Sequence, residues 1–291
     1  MQSVREKGGE MMENLDKHPM EVIKVFNNNV LLVQDGSTEK ILFSKGIGFG
    51  KKTGNLIDRD LDVEKIFIIE NKENKKNFNE LINYADSSVV GMCEEIIFMI
   101  ERELGEELDE KIHISLTDHI AFALKRIEDN DTIENPFLVE TQTLYKLEFV
   151  IARKAKKIIE DTMKINIPEG EVGFIALHIH SARNKGKLSN TLRFTTVVNE
   201  VVEFIERNSN ITINRESIDF ARFTTHVRFA IERILSGEEI ENDLLNTIKR
   251  KYSASYKLAK KASYLIEEEL ELKISDDEVG YLAVHIERLK K

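Results

Sequence analysis

Two patterns of apolar residues divide the chain. From residue 21 to about 70 the apolar positions come in short runs: Val22-Ile23, Val25-Phe26, Val30 to Val33, Ile41 to Phe43 and Ile66 to Ile69. Short apolar runs bounded by polar turns are strand signals. Asp35-Gly36 between two of them predicts a hairpin. About fifty residues of antiparallel sheet make a marginal core, so dimerisation through one face is expected to help stabilise it. After about residue 75 the spacing becomes helical. Val89, Val90, Cys93, Ile96, Ile97 and Ile100 recur at three- and four-residue steps behind Asp86, a candidate N-cap. Leu116, Ile120, Ala123, Leu124 and Ile127 form the next stripe, and Ser115 followed by Asp118 predicts that this helix starts with a capping box.

The helical part repeats itself. Shifted by 107 residues, Phe122 meets Phe229, Arg126 meets Arg233, Ile133-Glu134-Asn135 meets Ile240-Glu241-Asn242, Tyr145 meets Tyr252, and Glu171-Val172-Gly173 meets Glu278-Val279-Gly280. Two histidines fall into register as well, His119 on His226 and His178 on His285. The expected architecture is therefore multidomain: a small antiparallel β-sheet domain followed by two homologous all-α helical bundles. Boundaries are expected at 1–19 for a polar, disordered extension, 20–75 for the sheet, 76–186 for the first bundle and 187–291 for the second.

Composition narrows the setting. Hydrophobic residues make up 41% and charged residues 32% of 291 positions, as in a soluble protein of two or three domains. The single Cys93 cannot form an internal disulfide, which suits a reducing cytoplasm. No run of about 18 apolar residues predicts a membrane span, and the first residues lack the apolar stretch of a signal peptide. The net charge of −10 argues against a generic nucleic-acid binder. Charge is uneven, however. Between Met20 and Ile57, Lys24, Lys40, Lys45, Lys51 and Lys52 outnumber Glu21, Asp35 and Glu39, leaving a segment at +2.

The paired histidines admit three readings. They can be packing residues that diverging copies retain. They can ligate a metal, since His178-Ile179-His180 looks like a chelating pair. But residues two apart on a helix do not share a face, and the second copy has Glu287 in place of His180. Or they can accept phosphoryl groups, because neutral imidazole is a competent nucleophile near pH 7. His113 meets Phe220 in the second copy, which gives it a packing role outside the paired set. No metal or cofactor is expected, and no enzyme. Gly46-Ile47-Gly48-Phe49-Gly50-Lys51-Lys52 fails as a Walker A, because Lys stands at position 52 and no periodic helix follows. Any phosphate therefore has to come from another protein. The glycine run reads as a plain turn or as backbone brought close to a ligand or partner. Its lysines could meet phosphates and Phe49 could stack on a base. The Asn27-Asn28-Asn29 run is a turn or a set of amides for base edges and ribose.

These segments resemble the BglG/SacY/LicT family of transcription antiterminators, most closely its glucose-type branch. Lys24-Val25-Phe26-Asn27-Asn28-Asn29-Val30 is similar to the family's opening strand, and Lys45 to Lys52 to its loop. Leu116 to Ile120 and Gly173 to His180 are similar to two histidine motifs, and Asn135-Pro136-Phe137-Leu138 with Glu140-Thr141-Gln142 to the segment between them. One departure is Ser44, where several relatives carry Gly. The resemblance implies a dimeric RNA-binding domain (co-antiterminator, CAT) followed by two phosphotransferase-system (PTS) regulation domains (PRDs). The dimer would bind an imperfect hairpin in a leader transcript and block an overlapping terminator, for glucose uptake genes. Lys24, Asn27, Asn29, Lys45, Gly46 and Phe49 would contact RNA. His119, His178, His226 and His285 would be phosphorylated by the phosphocarrier HPr and a sugar-specific enzyme II. A DNA-binding PRD activator is the alternative, but it needs a helix-turn-helix where this chain shows strand patterns.

Overall fold

The computed structural model describes residues 19–131, 133–186 and 188–290. The expected extension over 1–19, apart from its last residue, lies outside the described residues. Five antiparallel strands come first: β1 (Met20–Val25), β2 (Val30–Asp35), β3 (Thr38–Phe43), β4 (Leu56–Ile57) and β5 (Lys65–Phe67). Their order in the sheet is β4-β1-β2-β3-β5. The predicted hairpin is β2-β3, with Asp35 opposite Thr38 across Gly36-Ser37. The β1-β2 register shifts between Val22 and Lys24, a local irregularity that ends the regular alternation of β1.

Alternation gives the sheet two apolar faces. On one, Val22, Leu31, Val33 and Leu42 pack with Met20, Ile47 and Ile57. On the other, Val30 stands opposite Phe43 and Leu32 opposite Ile41. This second face meets helices α1 (Lys72–Tyr84) and α2 (Ser87–Leu104). Phe43 stacks on Phe98 of α2 with ring centroids 4.3 Å apart, and Phe26 meets Phe78 of α1 edge-on at 6.4 Å. The second layer that a fifty-residue sheet needs is thus supplied by the chain's own helices.

Nine more helices follow among the described residues: α3 (Ile112–Glu128), α4 (Leu138–Leu144), α5 (Lys146–Met163), α6 (Glu169–Arg183), α7 (Leu188–Ser209), α8 (Ile218–Leu235), α9 (Leu245–Lys251), α10 (Ser253–Leu270) and α11 (Asp276–Leu289). Asp86 caps α2 as expected, accepting from the Ser88 N–H. The predicted start of α3 at Ser115 is one turn late: Ser115 lies inside the helix, its N–H donating to the Lys111 carbonyl at 2.8 Å. The Asp109 carboxylate accepts from the Lys111 N–H at 3.0 Å, and the helix begins at Ile112. Burial of Ile112 and His113 pulls that extra turn into the helix. Asp118 instead accepts from the Tyr84 hydroxyl at 2.6 Å.

The repeat survives in the coordinates. Displaced by 107 residues, α4 and α5 coincide end to end with α9 and α10. In each copy an asparagine crosses over a helix start. Asn135 Nδ2 donates to the Gly170 carbonyl and Asn242 Nδ2 to that of Asp277. A methyl group at Gly173 or Gly280 would sit 2.6 or 2.7 Å from that asparagine's Nδ2. This accounts for the matched glycines in mid-helix, where Gly is otherwise unfavourable. A second device recurs four times: a glutamate near a helix end accepts the N–H seven residues on, in Glu101–Leu108, Glu160–Ile167, Glu206–Ile213 and Glu267–Ile274.

Two compact units result. Among the described residues, the first holds 19–131 together with 153–168, and the second holds 133–152, 169–186 and 188–290. The second has an all-helical core that includes Val201, Ile205, Phe220, Phe223, Ile266 and Ile286.

Candidate RNA surface and histidine sites

The six expected RNA contacts lie together in the first unit, but in two different conditions. Lys45, Gly46 and Phe49 are exposed, Phe49 at 79%. Lys24, Asn27 and Asn29 are half-buried and engaged. The Asn27 carbonyl group of the side chain accepts from the Asn29 N–H at 2.8 Å, and that of Asn29 accepts from the Gly46 N–H at 3.0 Å. These bonds tie the asparagine turn to the glycine loop. They also settle the amide orientation, with both NH2 groups pointing away from the backbone. Each NH2 donates to Glu95 Oε1 of α2, at 2.8 Å from Asn27 and 3.0 Å from Asn29. The Lys24 ammonium donates to the Ile82 carbonyl in α1. The loop itself turns back on the asparagines: the Gly48 N–H donates to the Asn28 carbonyl, and a side chain at Gly48 would overlap the Asn27 carbonyl.

In the second unit the expected pair His226 and His285 is brought together, from α8 and α11, with rings stacked at 4.6 Å. Arg233 and Glu278 complete the group. Each is seven residues from a histidine on its own helix, two turns along the same face. Arg233 donates to Glu278 Oε1 through Nε at 2.9 Å and through its terminal nitrogen at 2.7 Å. Glu278 is placed by its helix start, where Ser275 caps α11 and accepts the Glu278 N–H. Its other oxygen lies 3.7 Å from His226 Nε2, too far for a hydrogen bond. Burial, then the neighbouring His285 and then Arg233 push His226 down to about 4. Burial, Arg288 and Arg222 lower His285, against the opposing pull of Asp219. Both imidazoles are neutral near pH 7, as a nucleophile requires.

Of the first-copy histidines, His119 is half-buried on α3 in the first unit, and His178 is buried on α6 in the second. His180, two residues on from His178, instead points to Glu148, with its Nδ1 3.1 Å from Oε1 and its ring 4.0 Å from that of Tyr145. Arg183 also donates to Glu148, at 2.7 Å. Burial pushes the Glu148 carboxyl up, but His180 and Arg183 hold it below its usual range. The second copy has the same contact with the acid moved across. Ser255 stands in the place of Glu148 and donates at 2.6 Å to Glu287, which stands in the place of His180. Lys290, matching Arg183, donates to Ser255. His180 is thus half of a compensated structural pair. His113 packs edge-on against Phe67 at 4.8 Å, as expected of a packing residue, and its Nδ1 also lies 2.7 Å from the buried Glu94.

Sequence reasoning passed over Glu94, Glu95, Glu148 and Gly91. Only Gly91 left a signal, as a lone glycine inside an apolar helical stripe.

Comparison with known proteins identifies the parts. The family model for the CAT RNA binding domain matches residues 20–76, and that for the PRD domain matches 94–182 and 199–289. A CAT domain joined to tandem PRDs defines a class of RNA-binding regulators. The chain is 37% identical over 276 residues to the transcription antiterminator LicT of Bacillus subtilis (strain 168), covering 94% of this chain and 99% of that protein. It is 34% identical over 267 residues to protein GlcT of Staphylococcus saprophyticus, covering 91% and 95%. The chain belongs to the BglG/SacY/LicT family of transcription antiterminators. Among solved structures, GlcT CAT-PRDI matches at 44% identity and a TM-score of 0.48, over 56% of this chain and 97% of that one. No helix among the described residues is long and apolar enough to cross a membrane.

Proposed function

We propose that the protein is a cytoplasmic, dimeric antiterminator that binds a leader-transcript hairpin and is set by histidine phosphorylation, a regulator and not an enzyme. The proposed domains are the CAT sheet over 20–75 and PRDs over 76–186 and 187–291, the latter two resting on the 107-residue repeat. Lys24, Asn27, Asn29, Lys45, Gly46 and Phe49 form the RNA surface. Exposed Phe49 and Lys45, together with the Asn27 and Asn29 amides of the same turn, are the equipment for an unpaired base next to phosphates.

The observation that carries the regulatory half is the stacked His226–His285 pair beside the Arg233–Glu278 bridge. A neutral imidazole lone pair forms the new N–P bond while the bond from phosphorus to the donor side chain of a PTS phosphocarrier, HPr or a sugar-specific enzyme II, breaks, and that side chain leaves with the bonding electrons. The phosphoryl group brings roughly −1.5 to −2 charges. That charge repels Glu278 and attracts Arg233, so the bridge exchanges its carboxylate for the phosphate. His119 and His178 are the corresponding acceptors of the first copy, and phosphorylation at His119 inactivates. The regulated genes are those of glucose uptake.

The test uses the whole chain. Gel shifts compare the hairpin from its own leader with a scrambled hairpin and duplex DNA, for the wild type, Phe49→Ala and Lys45→Glu. Selective hairpin binding lost in both variants supports the reading, and equal binding to all three nucleic acids overturns it. Mass spectrometry at neutral pH after incubation with PTS carriers should place phosphate on His119, His178, His226 and His285. In cells, His119→Ala should antiterminate without the inducing sugar, and silence in that variant would reverse the assigned sign.

A further inference from the structure

The Asn27 and Asn29 amides of the proposed RNA surface are already occupied, and by an anion. A carboxylate is an acceptor-only group with a delocalised negative charge, so toward an amide NH2 it presents what a phosphate oxygen presents. Glu95 Oε1 takes both Asn27 and Asn29. One helical turn earlier, Gly91 lets the α2 backbone come in close: a methyl group there would lie 2.6 Å from Asn27 Nδ2. On the neighbouring helix the Ile82 carbonyl takes the Lys24 ammonium. The same layer of helices is anchored to the sheet by the Phe43–Phe98 stack. The side of the RNA surface nearest α1 and α2 is therefore closed by three contacts, while Lys45, Gly46 and Phe49 stay open.

We propose that α2 is an internal competitor of RNA: Glu95, brought in over Gly91, holds Asn27 and Asn29 in a masked state, and RNA binds fully only when α2 withdraws. The inference rests on the reading of Asn27 and Asn29 as RNA contacts. The mask lowers the apparent affinity by the fraction of molecules in which α2 has moved away. It also gives a regulated helical domain a direct handle on the RNA surface, because any event that shifts α2 changes that fraction.

Two substitutions in the full-length protein test the mask from opposite sides. Glu95→Ala removes the competing carboxylate. Gly91→Ala keeps the charge and wedges the helix away from Asn27. Each should bind the leader hairpin about tenfold more tightly than the wild type, with faster amide exchange in α2 and unchanged circular dichroism. Tightening by Glu95→Ala alone would mean that its charge merely repels RNA, and the mask would be wrong. Weaker or unchanged binding by both would make Glu95 a scaffold for the asparagines, and would overturn the mask while leaving the RNA surface standing. Failure of the RNA surface itself reads differently: Asn29→Ala and Phe49→Ala would then bind as the wild type does, or no form would prefer the hairpin to its scrambled version.

Discussion

His113 and His226 are two largely buried histidines, each beside a glutamate, and they are driven in opposite directions. Burial disfavours the charged ring in both. At His113 the opposing attraction wins: Glu94 lies 2.7 Å away, fully enclosed, with Glu101 and Glu110 adding to the pull, and the imidazole is raised above its ordinary value. At His226 the carboxylate is 3.7 Å away and already spent on Arg233, so burial prevails and the ring falls to about 4. A histidine's chemistry here depends on whether its glutamate is free to face it. One arrangement makes a charged clamp between helices, the other a neutral imidazole.

The sharpest way to break the contrast is to remove the clamp. His113→Ala leaves Glu94 buried without its partner and should cost the first unit about 3–5 kcal/mol, read by urea denaturation of the full chain. Adding Glu94→Leu to His113→Phe should recover most of the loss, since an apolar pair replaces a buried ionic one. If the double variant is no more stable than His113→Ala, the clamp is not ionic.

The two sites should also respond oppositely to pH. His226 binds fewer protons folded than unfolded, so its contribution is complete above 6.5 and falls as pH drops through about 4. The full loss is on the order of 3 kcal/mol. His113 is raised, so its contribution is complete below 6.5 and is lost as pH rises through its folded value. Segment-resolved hydrogen exchange at pH 5 and 8 should show α8 loosening at the lower pH and α3 at the higher. The same sign in both helices would contradict these assignments.

Smaller effects sharpen the picture. Gly280→Ala forces a methyl group against Asn242 and Leu245 and should destabilise the second unit by about 1–3 kcal/mol, with Gly173→Ala similar; a neutral change would show that the asparagine crossing can relax. Arg233→Met removes one of the charges that lowers His226 and frees Glu278 to face it, and should raise that imidazole, followed by NMR titration. No movement would mean that the carboxylate is held away by something other than Arg233.

Much of this protein could be read from its residues alone. Local rules were enough for the β2-β3 hairpin at Asp35-Gly36, the Asp86 cap and the apolar stripes of α2 and α3. The repeat register matched His226 to His119 and His285 to His178, and it matched the asparagine and glycine of one copy to those of the other, where both copies make the same crossing. The start of α3 was misread because a local capping signal at Ser115 lost to burial of Ile112 and His113 one turn earlier.

What only the tertiary structure decided is partnership between residues far apart in the chain. Glu94 facing His113, Glu95 across Asn27 and Asn29, and Arg233 holding Glu278 away from His226 leave no periodic trace. A glutamate on a helix looks the same in sequence whether it charges a histidine, masks an amide or is neutralised by an arginine. Packing chooses among these by distance, and electrostatic attraction and hydrogen bonding at 3 to 4 Å change steeply enough for that choice to set the chemistry.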